Sequence, residues 1–229
     1  MLTCTNLNTW YGPAHILFDV DINVSEGRVL SILGRNGVGK STLLKSIMGV
    51  VSPGSGDIEF CGRSLFGIST HKVAQSGIGY VPEDRRVFAD LTVEENLEIA
   101  ELKPGAWSRR EAFCAFPPLE EFRSRRAGLL SGGQQQMLSI ARAMMGNPRL
   151  LLVDEPTEGL SPIMVRTLAR TIHDLKNAGQ TMVVAAQDLA FALSIADDLI
   201  VLDRGRVVYQ SGIENARVEI DKIRTLLAV

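Results

Sequence analysis

The sequence predicts an α/β fold with a mostly parallel central sheet, an antiparallel β part at the N-terminus and an inserted helical subdomain. Predicted strands and helices alternate over most of the chain, which is the pattern of an α/β core. Residues 150–153 are wholly apolar, as is typical of a strand inside a parallel sheet. Residues 2–24 contain short alternating apolar stretches, which indicate antiparallel strands. A length of 229 residues suits a single domain, residues 1–229.

Composition indicates an ordinary globular protein with a sizeable core, since 45% of the residues are hydrophobic and 22% are charged. The net charge of −2 argues against a nucleic-acid-binding protein, so no nucleic acid is expected as a partner. A local group of arginines is interpreted as a solvated helical face rather than a binding patch. These arginines are Arg109, Arg110, Arg123, Arg125 and Arg126.

The cysteines and the hydropathy predict the compartment. Cys4, Cys61 and Cys114 lie far apart with no CxxC pair, which favours free thiols over a disulfide or a zinc site. No signal peptide opens the chain, and no apolar run approaches the ~18 residues that a membrane span needs. We therefore expect a cytoplasmic protein that would serve a membrane only from outside the bilayer.

Local signals predict the elements of the first half in order. Val29–Leu33 is a short buried strand that meets a glycine loop at once, and residues 41–48 form the helix behind that loop. Residues 52–56 (Ser-Pro-Gly-Ser-Gly) are predicted to be a turn. Ile78–Val81 is predicted to be the next strand, and it ends at a proline.

A helical subdomain is predicted over about residues 84–145. Thr92 starts its first helix, with Glu95 completing a capping box. Breaks such as Pro104-Gly105 divide the middle of the subdomain into short helices. Ser131 and Gln134 form a second capping box at the start of a helix whose methionines are interpreted as core residues.

The last third returns to alternating helices and strands. Ser161 caps a helix that Gly179 closes, and Thr181–Ala186 and residues 199–202 are predicted strands. Residues 213–229 are predicted to form a partly amphipathic helix that packs on the core or on a partner, with core packing favoured.

Residues 34–41 (Gly-Arg-Asn-Gly-Val-Gly-Lys-Ser) fit the phosphate-loop pattern G-x-x-x-x-G-K-[ST] in full, between a strand and a helix. The glycines let backbone N–H groups approach phosphate oxygens, and the helix start adds its positive end. Lys40 is expected to neutralise the β and γ phosphates, and Ser41 to offer a hydroxyl to Mg²⁺. The residues predicted to bind nucleotide here are Gly34, Arg35, Asn36, Gly37, Val38, Gly39, Lys40, Ser41 and Thr42.

Two acids follow the apolar strand at 150–153, at the carboxyl edge of the sheet, where ligands of open α/β sheets bind. Asp154 is predicted to hold Mg²⁺ through water, and Glu155 to polarise the attacking water. Without the phosphate loop, these acids would be ordinary surface residues. With it, they predict ATP hydrolysis.

Residues 130–134 (Leu-Ser-Gly-Gly-Gln) predict a second anion site, made by the Ser131 hydroxyl and the free N–H groups of a helix start. One ATP already has its loop, so this site is expected to serve the ATP of another chain. An ordinary capping box would be the interpretation if the motif stood alone.

Over essentially its whole length the chain resembles the ATP-binding subunit of an ABC transporter, a P-loop NTPase with a RecA-like core. Residues 34–41 match that family's Walker A motif and residues 130–134 its signature. Leu150–Asp154 matches Walker B, with Glu155 as the family's catalytic glutamate.

The resemblance implies ATP and Mg²⁺ as cofactors and a head-to-tail dimer with a second ABC ATPase subunit, identical or different. Tyr11 stands at the position where the family stacks an aromatic ring on adenine, and Trp10 is the alternative residue for this role. Each ATP would touch the Walker A loop of one subunit and the signature of the other. The signature residues are Ser131, Gly132, Gly133 and Gln134.

The resemblance also implies two integral membrane permease subunits, moved through the helical subdomain and the loop around Glu83. A solute-binding protein would act indirectly. The chain would lie peripherally on the cytoplasmic face of the inner (plasma) membrane.

Three positions depart from the family pattern: Glu83 stands where most members carry Gln, Gln187 where most carry His, and Ser161 where many carry Asp. Glu83 is still expected to reach Mg²⁺ or water. Gln187 is expected to donate a hydrogen bond to the γ-phosphate, although it cannot titrate near neutral pH.

Residues 81–88, 91–97 and 154–162 look like the branched-chain amino acid importer group, and residues 34–39 and 131–136 lean toward its urea-like members. This predicts the short ATPase subunit of an importer for branched-chain or hydrophobic amino acids, or for urea or amides. The main rival is a soluble ABC ATPase without a transporter. An exporter motor and a nucleotide-gated subunit that hydrolyses poorly remain as further alternatives.

Overall fold

The computed structural model describes residues 1–101 and 107–228. The strands in this part of the chain are β1 (Leu2–Tyr11), β2 (Ala14–Val24), β3 (Val29–Leu33), β4 (Pro53–Phe60), β5 (Arg63–Ser64), β6 (Ile78–Val81), β7 (Leu150–Asp154), β8 (Thr181–Ala186), β9 (Asp198–Asp203) and β10 (Arg206–Gly212). The helices are α1 (Lys40–Ile47), α2 (Thr70–Gln75), α3 (Val93–Glu98), α4 (Arg109–Ala115), α5 (Pro117–Glu120), α6 (Gly132–Met145), α7 (Pro162–Asn177), α8 (Leu189–Ile195), α9 (Ile213–Val218) and α10 (Ile220–Ala228).

Two sheets confirm the predicted fold class. A four-stranded antiparallel sheet has the order β2-β1-β4-β5, and a six-stranded sheet has the order β10-β9-β3-β8-β7-β6. In the larger sheet only β10 runs antiparallel to its neighbour. The carboxyl ends of β3, β6 and β7 therefore meet at one edge, which is where the phosphate loop and the two predicted acids begin.

The larger sheet separates two hydrophobic cores. Leu150 and Leu152 of β7 pack in the core shared with α1 and the antiparallel sheet, whereas Leu151 and Val153 pack on the other side against α6, α7 and α8. Because side chains alternate along a strand, Asp154 projects toward α1. This alternation places the carboxylate beside the helix that follows the phosphate loop.

The predicted turn at residues 52–56 is wrong, because Pro53 to Gly56 belong to β4. Pro53 pairs with Thr9 of β1, where the register shifts twice. The close approach of β1 explains the glycines: a Cβ on Gly56 would lie 2.4 Å from the Asn6 carbonyl oxygen. Strand β5 pairs only with the far end of β4, so the proline meets no second strand.

Between β6 and β7 the chain forms α3 to α6, in the region predicted to be helical. The capping boxes of Thr92 with Glu95 and of Ser131 with Gln134 are confirmed. A further capping box joins Ser108 and Glu111 at the start of α4. The predicted break at Pro104-Gly105 lies outside the described residues.

The C-terminal segment forms two helices, α9 and α10, rather than the single predicted helix. Ile223 is fully buried in the core, which confirms core packing, whereas Val218 is 84% exposed. Among the described helices, none has the length and apolar character that a membrane span requires.

Candidate functional site

The phosphate loop joins β3 to α1 and folds around the ammonium group of Lys40. Gly39, the N-cap of α1, has a φ of 114°, and a Cβ there would lie 2.9 Å from the side chain of Leu17. Glycine is therefore required for both backbone conformation and space. Lys40 Nζ donates hydrogen bonds to the carbonyl oxygens of Gly34, at 2.7 Å, and Arg35, at 2.9 Å.

A buried ion pair joins this loop to β7. Lys40 Nζ lies 2.8 Å from Glu155 Oε1, and the two side chains are only 4% and 8% exposed. Glu155 has a left-handed φ of 44°, and its N–H donates to the Ala185 carbonyl at 3.0 Å. Each charge is thus compensated by the other, and an incoming phosphate would have to compete with Glu155 for the lysine.

Asp154 is held by two hydroxyl groups. Ser41 Oγ donates to Asp154 Oδ1 at 3.0 Å and Tyr80 Oη donates to Asp154 Oδ2 at 3.1 Å. Burial raises the pKa of the Asp154 carboxyl above its ordinary value, and the two hydrogen bonds oppose the shift. Burial, and then the nearby carboxylate, raise the pKa of Tyr80, so its hydroxyl stays a donor.

These oxygens fit a hard divalent cation. Ser41 and Asp154 offer a hydroxyl and a carboxylate, which are ligands suited to Mg²⁺, and a bound cation would favour the ionised form of the buried Asp154. No group of three His, Cys, Asp or Glu residues arranged for a metal is found in residues 1–101 and 107–228. Mg²⁺ here would therefore need phosphate and water as further ligands, as is usual for it.

A cavity of about 390 Å³ opens over the loop and is lined by most of the residues of the loop, 34–42, that are predicted to bind nucleotide. Arg35 contributes its carbonyl to Lys40, and the Val38 carbonyl accepts from Gly205 N–H, which anchors the loop. The cavity is lined by Ile16, Asn36, Gly37, Gly39, Lys40, Ser41, Thr42, Glu83, Glu155 and Glu158.

The sequence prediction missed Ile16, Tyr80 and Glu158 as residues around this site. Ile16 comes from β2, and no motif marks it. Tyr80 lies on β6, just before the loop that contains Glu83, and β6 pairs with β7. Its position near the carboxyl end of a parallel strand was the one feature of the sequence that could have marked it as a site residue.

Three acidic residues line the cavity, namely Glu83, Glu155 and Glu158. Glu83 is exposed, and its carboxyl lies close to that of Glu158. Partial desolvation, then the proximity of Glu158 and the charges of Asp154 and Glu155, raise the pKa of Glu83. Gln187 follows β8 and lines an adjoining cavity of about 350 Å³ together with Glu155 and Glu158. Glu83 and Gln187, two of the three departures from the family pattern, thus each line a cavity together with Glu155.

The two aromatic residues at the end of β1 have different surroundings. Trp10 stacks on His15 with ring centroids 4.0 Å apart, and it covers Gly54 of β4. Tyr11 is 46% exposed. The register of β1 shifts between Thr9 and Trp10, so strand alternation does not assign the two rings to faces of the sheet. Neither ring lines the cavity at Lys40, so Tyr11, with Trp10 as the alternative, stays a prediction for the adenine contact.

Residues 131–134 do not line the cavity at Lys40. Ser131 Oγ accepts from the Gln134 N–H, and Gln134 Oε1 accepts from the Ser131 N–H at 2.9 Å. Gly133 packs against Met164 of α7, where a Cβ would lie 2.8 Å from the methionine side chain. The start of α6 is thus a second candidate anion site, separate from the first.

Comparison with known proteins agrees with this geometry. Residues 17–158 match the family model described as "ABC transporter". The chain is 39% identical over 216 residues to the high-affinity branched-chain amino acid transport ATP-binding protein BraG of Pseudomonas aeruginosa, covering 91% of each. It is 38% identical to the probable branched-chain amino acid transport ATP-binding protein LivF of Archaeoglobus fulgidus, covering 99% of this chain and 98% of that protein.

The solved structures give the same answer. The dimeric post-hydrolysis state of the ATP-binding cassette MJ0796, bound to ADP and Pi, superposes with a TM-score of 0.83 at 27% identity, covering 93% of this chain and 99% of that one. Sequence motifs, site geometry and both kinds of comparison agree, and the chain belongs to the ABC transporter family as an ATP-hydrolysing ATP-binding subunit.

Proposed function

We propose that this chain is the motor subunit of an importer for branched-chain or other hydrophobic amino acids, or for related solutes such as urea and amides. The observation that carries the proposal is the junction of Lys40, Ser41, Asp154 and Glu155, where a phosphate loop and two carboxylates meet at one sheet edge. The two branched-chain transport relatives support the solute class, because they match nearly the whole chain.

In this proposal ATP binds across the phosphate loop. Tyr11 stacks on adenine, and the backbone of residues 34–42 receives the phosphates. Lys40 leaves Glu155 and takes the β and γ phosphates as its new partners. The exchange replaces a carboxylate by a more highly charged anion, so it favours the nucleotide over the resting ion pair.

Ser41 and Asp154 would hold Mg²⁺, with Glu83 at the outer edge of the same group. The metal would supply charge neutralisation to the β and γ phosphates. Before it binds, Asp154 is oriented by Ser41 and Tyr80. The carboxylate therefore needs little reorganisation.

Once Lys40 has moved, Glu155 is free to accept a proton from the attacking water. Gln187 lies beside Glu155 and would donate a hydrogen bond to the γ-phosphate. Because an amide does not titrate, Gln187 would orient the γ-phosphate and carry no proton. Glu155 is then the base of the reaction.

Closure of a dimer completes the site in this proposal. Residues 131–134 of one subunit would contact the ATP bound by a second ABC ATPase subunit. The helical subdomain, residues 84–145, and the loop at Glu83 would pass the movement to two integral membrane permeases, at the cytoplasmic face of the inner membrane. A solute-binding protein would deliver the cargo from the far side.

The test is recovery of the chain with its partners. We expect a tagged chain, extracted gently from its host's membranes, to bring down two multi-span proteins and a second ATPase. Recovery from the soluble fraction without membrane proteins would overturn the importer. The relatives' names, which are those of transport proteins, do not favour the soluble alternative.

A further inference from the structure

Arg85 lies where three functional segments meet. It sits in the loop between β6 and α3, and its guanidinium rests on Gly132 at the start of α6. A Cβ on Gly132 would lie 2.6 Å from Arg85 Nη1 and 3.2 Å from its Cζ. Arg85 Nη2 donates to the carbonyl oxygen of Glu158 at 3.0 Å. One side chain thus touches the signature helix and the loop that follows Glu155.

Within residues 1–101 and 107–228, no carboxylate forms an ion pair with Arg85, whereas its neighbour Arg86 lies 2.7 Å from Asp84. The start of α6 also carries a partial positive charge from its free N–H groups. A cation and a positive helix end that share one place repel each other unless an anion binds between them.

Gly132 is what allows this arrangement. Any side chain at that position would displace the guanidinium, because the gap for a Cβ is already filled by Nη1. A glycine here therefore admits Arg85 as well as leaving the helix N–H groups open.

We propose that Arg85 belongs to the anion site of α6 and contacts the γ-phosphate of the ATP held by the partner subunit. This rests on the proposed dimer and adds to it a residue from outside the signature motif. A planar guanidinium offers paired N–H donors to phosphate oxygens. In that position it stabilises the negative charge of the transferring group.

The reaction that Arg85 assists is ordinary hydrolysis. Water oxygen bonds to the γ-phosphorus, the bond from that phosphorus to the β–γ bridging oxygen breaks, and the proton of the water passes to the catalytic glutamate of the subunit that holds the ATP. Where the partner is a second copy of this chain, that glutamate is the copy's own residue 155. The products are ADP and inorganic phosphate. Arg85 forms no covalent bond, and its effect is on kcat because the charge it meets is greatest in the transition state.

The test compares neighbouring arginines in the complex purified from the host through a tag on this chain. The variants are Arg85→Ala, Arg85→Lys and the matched control Arg86→Ala, whose side chain pairs with Asp84 instead of the helix start. Arg85→Ala is expected to lower the kcat for ATP hydrolysis by at least roughly 30-fold. This expected loss is smaller than the effect known for arginines that one protein supplies to the site of another. Arg85→Lys, which keeps the charge, should recover part of that loss.

The affinity for ADP separates this role from a general structural one. Arg85 does not line the cavity at Lys40, so the Kd of ADP for the isolated full-length chain should be the same in all variants. A kcat of Arg85→Ala equal to that of Arg86→Ala overturns the proposal, as does equal loss in Arg85→Lys and Arg85→Ala. Absence of ATPase activity in the unmutated complex would instead contradict the proposed function itself.

Discussion

At the scale of single residues, the Lys40–Glu155 ion pair decides what the site does without nucleotide. Both charges are buried and each is the other's partner. Lys40 is also fixed by two loop carbonyls, which hold its ammonium where phosphates would arrive. The lysine is therefore positioned in advance, and bound ATP would exchange one anionic partner of Lys40 for another.

Replacing Lys40 should strongly weaken nucleotide binding. Lys40→Ala deletes a charged donor to phosphate and leaves Glu155 buried without a partner, so Mg-ATP affinity should fall by about 3 kcal/mol, or roughly 100-fold. Titration calorimetry with Mg-ATP is the measurement. Lys45→Ala, in the same helix but absent from the cavity lining, is the control. Undiminished binding by Lys40→Ala would exclude the phosphate-loop role.

Replacing Glu155 should separate binding from hydrolysis. In Glu155→Gln the amide can still accept a hydrogen bond from Lys40 but cannot take a proton from water, so turnover should fall by at least about 100-fold while ATP still binds. Steady-state phosphate release and calorimetry on the same preparation measure both. Glu158→Gln removes an exposed charge from the same cavity and should keep most of the activity. Equal turnover in Glu155→Gln and the unmutated chain would show that Glu155 is not the base.

The sequence predicted the residues of this site as far as its motifs reach. Lys40, Ser41, Asp154 and Glu155 belong to short contiguous patterns whose chemistry dictates their types. Ile16 was missed because it is brought to the loop from another sheet, by contacts that no local pattern encodes. Predicting such residues requires the packing of the sheets and not only their existence.

At the scale of elements, a buried amide on α3 and an arginine on α6 attach the helices between β6 and β7 to the loop of Arg85. Asn96 of α3 is fully buried. Its side chain accepts from the Phe88 N–H at 2.9 Å and donates to the Phe88 and Thr92 carbonyls at 3.0 and 2.9 Å. Arg142 of α6 adds a stack on the Phe88 ring, 4.8 Å from its centroid. These hydrogen bonds satisfy backbone groups of a loop that is not part of a helix or a sheet.

Removing that amide should destabilise the region. Asn96→Ala deletes a fully buried amide together with its hydrogen bonds to the backbone of Phe88 and Thr92, which should cost about 2 to 3 kcal/mol of unfolding free energy. The urea midpoint measures it. Asn177→Ala, an exposed asparagine near the end of α7, should change stability by less than about 0.5 kcal/mol. If the two variants had equal midpoints, the amide network would not stabilise the fold.

Helices and strands could be predicted where the hydrophobic period and the capping residues agree. The prediction failed where a contact with a distant strand determines the local structure. The box at Thr92 and Glu95 depends on four consecutive residues, so the sequence contains all of it. Pro53 and Gly54 are residue types typical of a turn, yet they form part of β4 because this segment pairs with β1. Pairing with a distant strand outweighs local turn preference there.

At the scale of the whole molecule, the chain presents two candidate anion sites that do not meet within one subunit. The phosphate loop lines the cavity at Lys40, and the start of α6 lies outside it. Parallel strands explain the first site, since their carboxyl ends share an edge. The sequence predicted the second candidate site as the start of a helix. It could not predict that this site lies apart from the first, because the separation depends on how α6 packs against α7.

The separation predicts that Ser131 matters for catalysis and not for this chain's own nucleotide. Ser131 and Ser108 both form capping boxes, at α6 and α4, with the same pattern of reciprocal bonds. Ser131→Ala and Ser108→Ala should therefore each cost about 1 kcal/mol of stability. Only Ser131→Ala should lose a hydrogen bond to the partner's phosphate, and so lower the kcat of the dimer by roughly tenfold.

Affinity for ADP, measured on the single chain, should be unchanged in both serine variants. Thermal melts verify that the two losses of capping are equal, and phosphate release by the assembled dimer gives the kcat. If Ser108→Ala slowed hydrolysis as much as Ser131→Ala, lower stability would explain both, and the start of α6 would be an ordinary helix cap. If Ser131→Ala weakened ADP binding, the second site would act on the chain's own nucleotide, and the head-to-tail arrangement would be wrong.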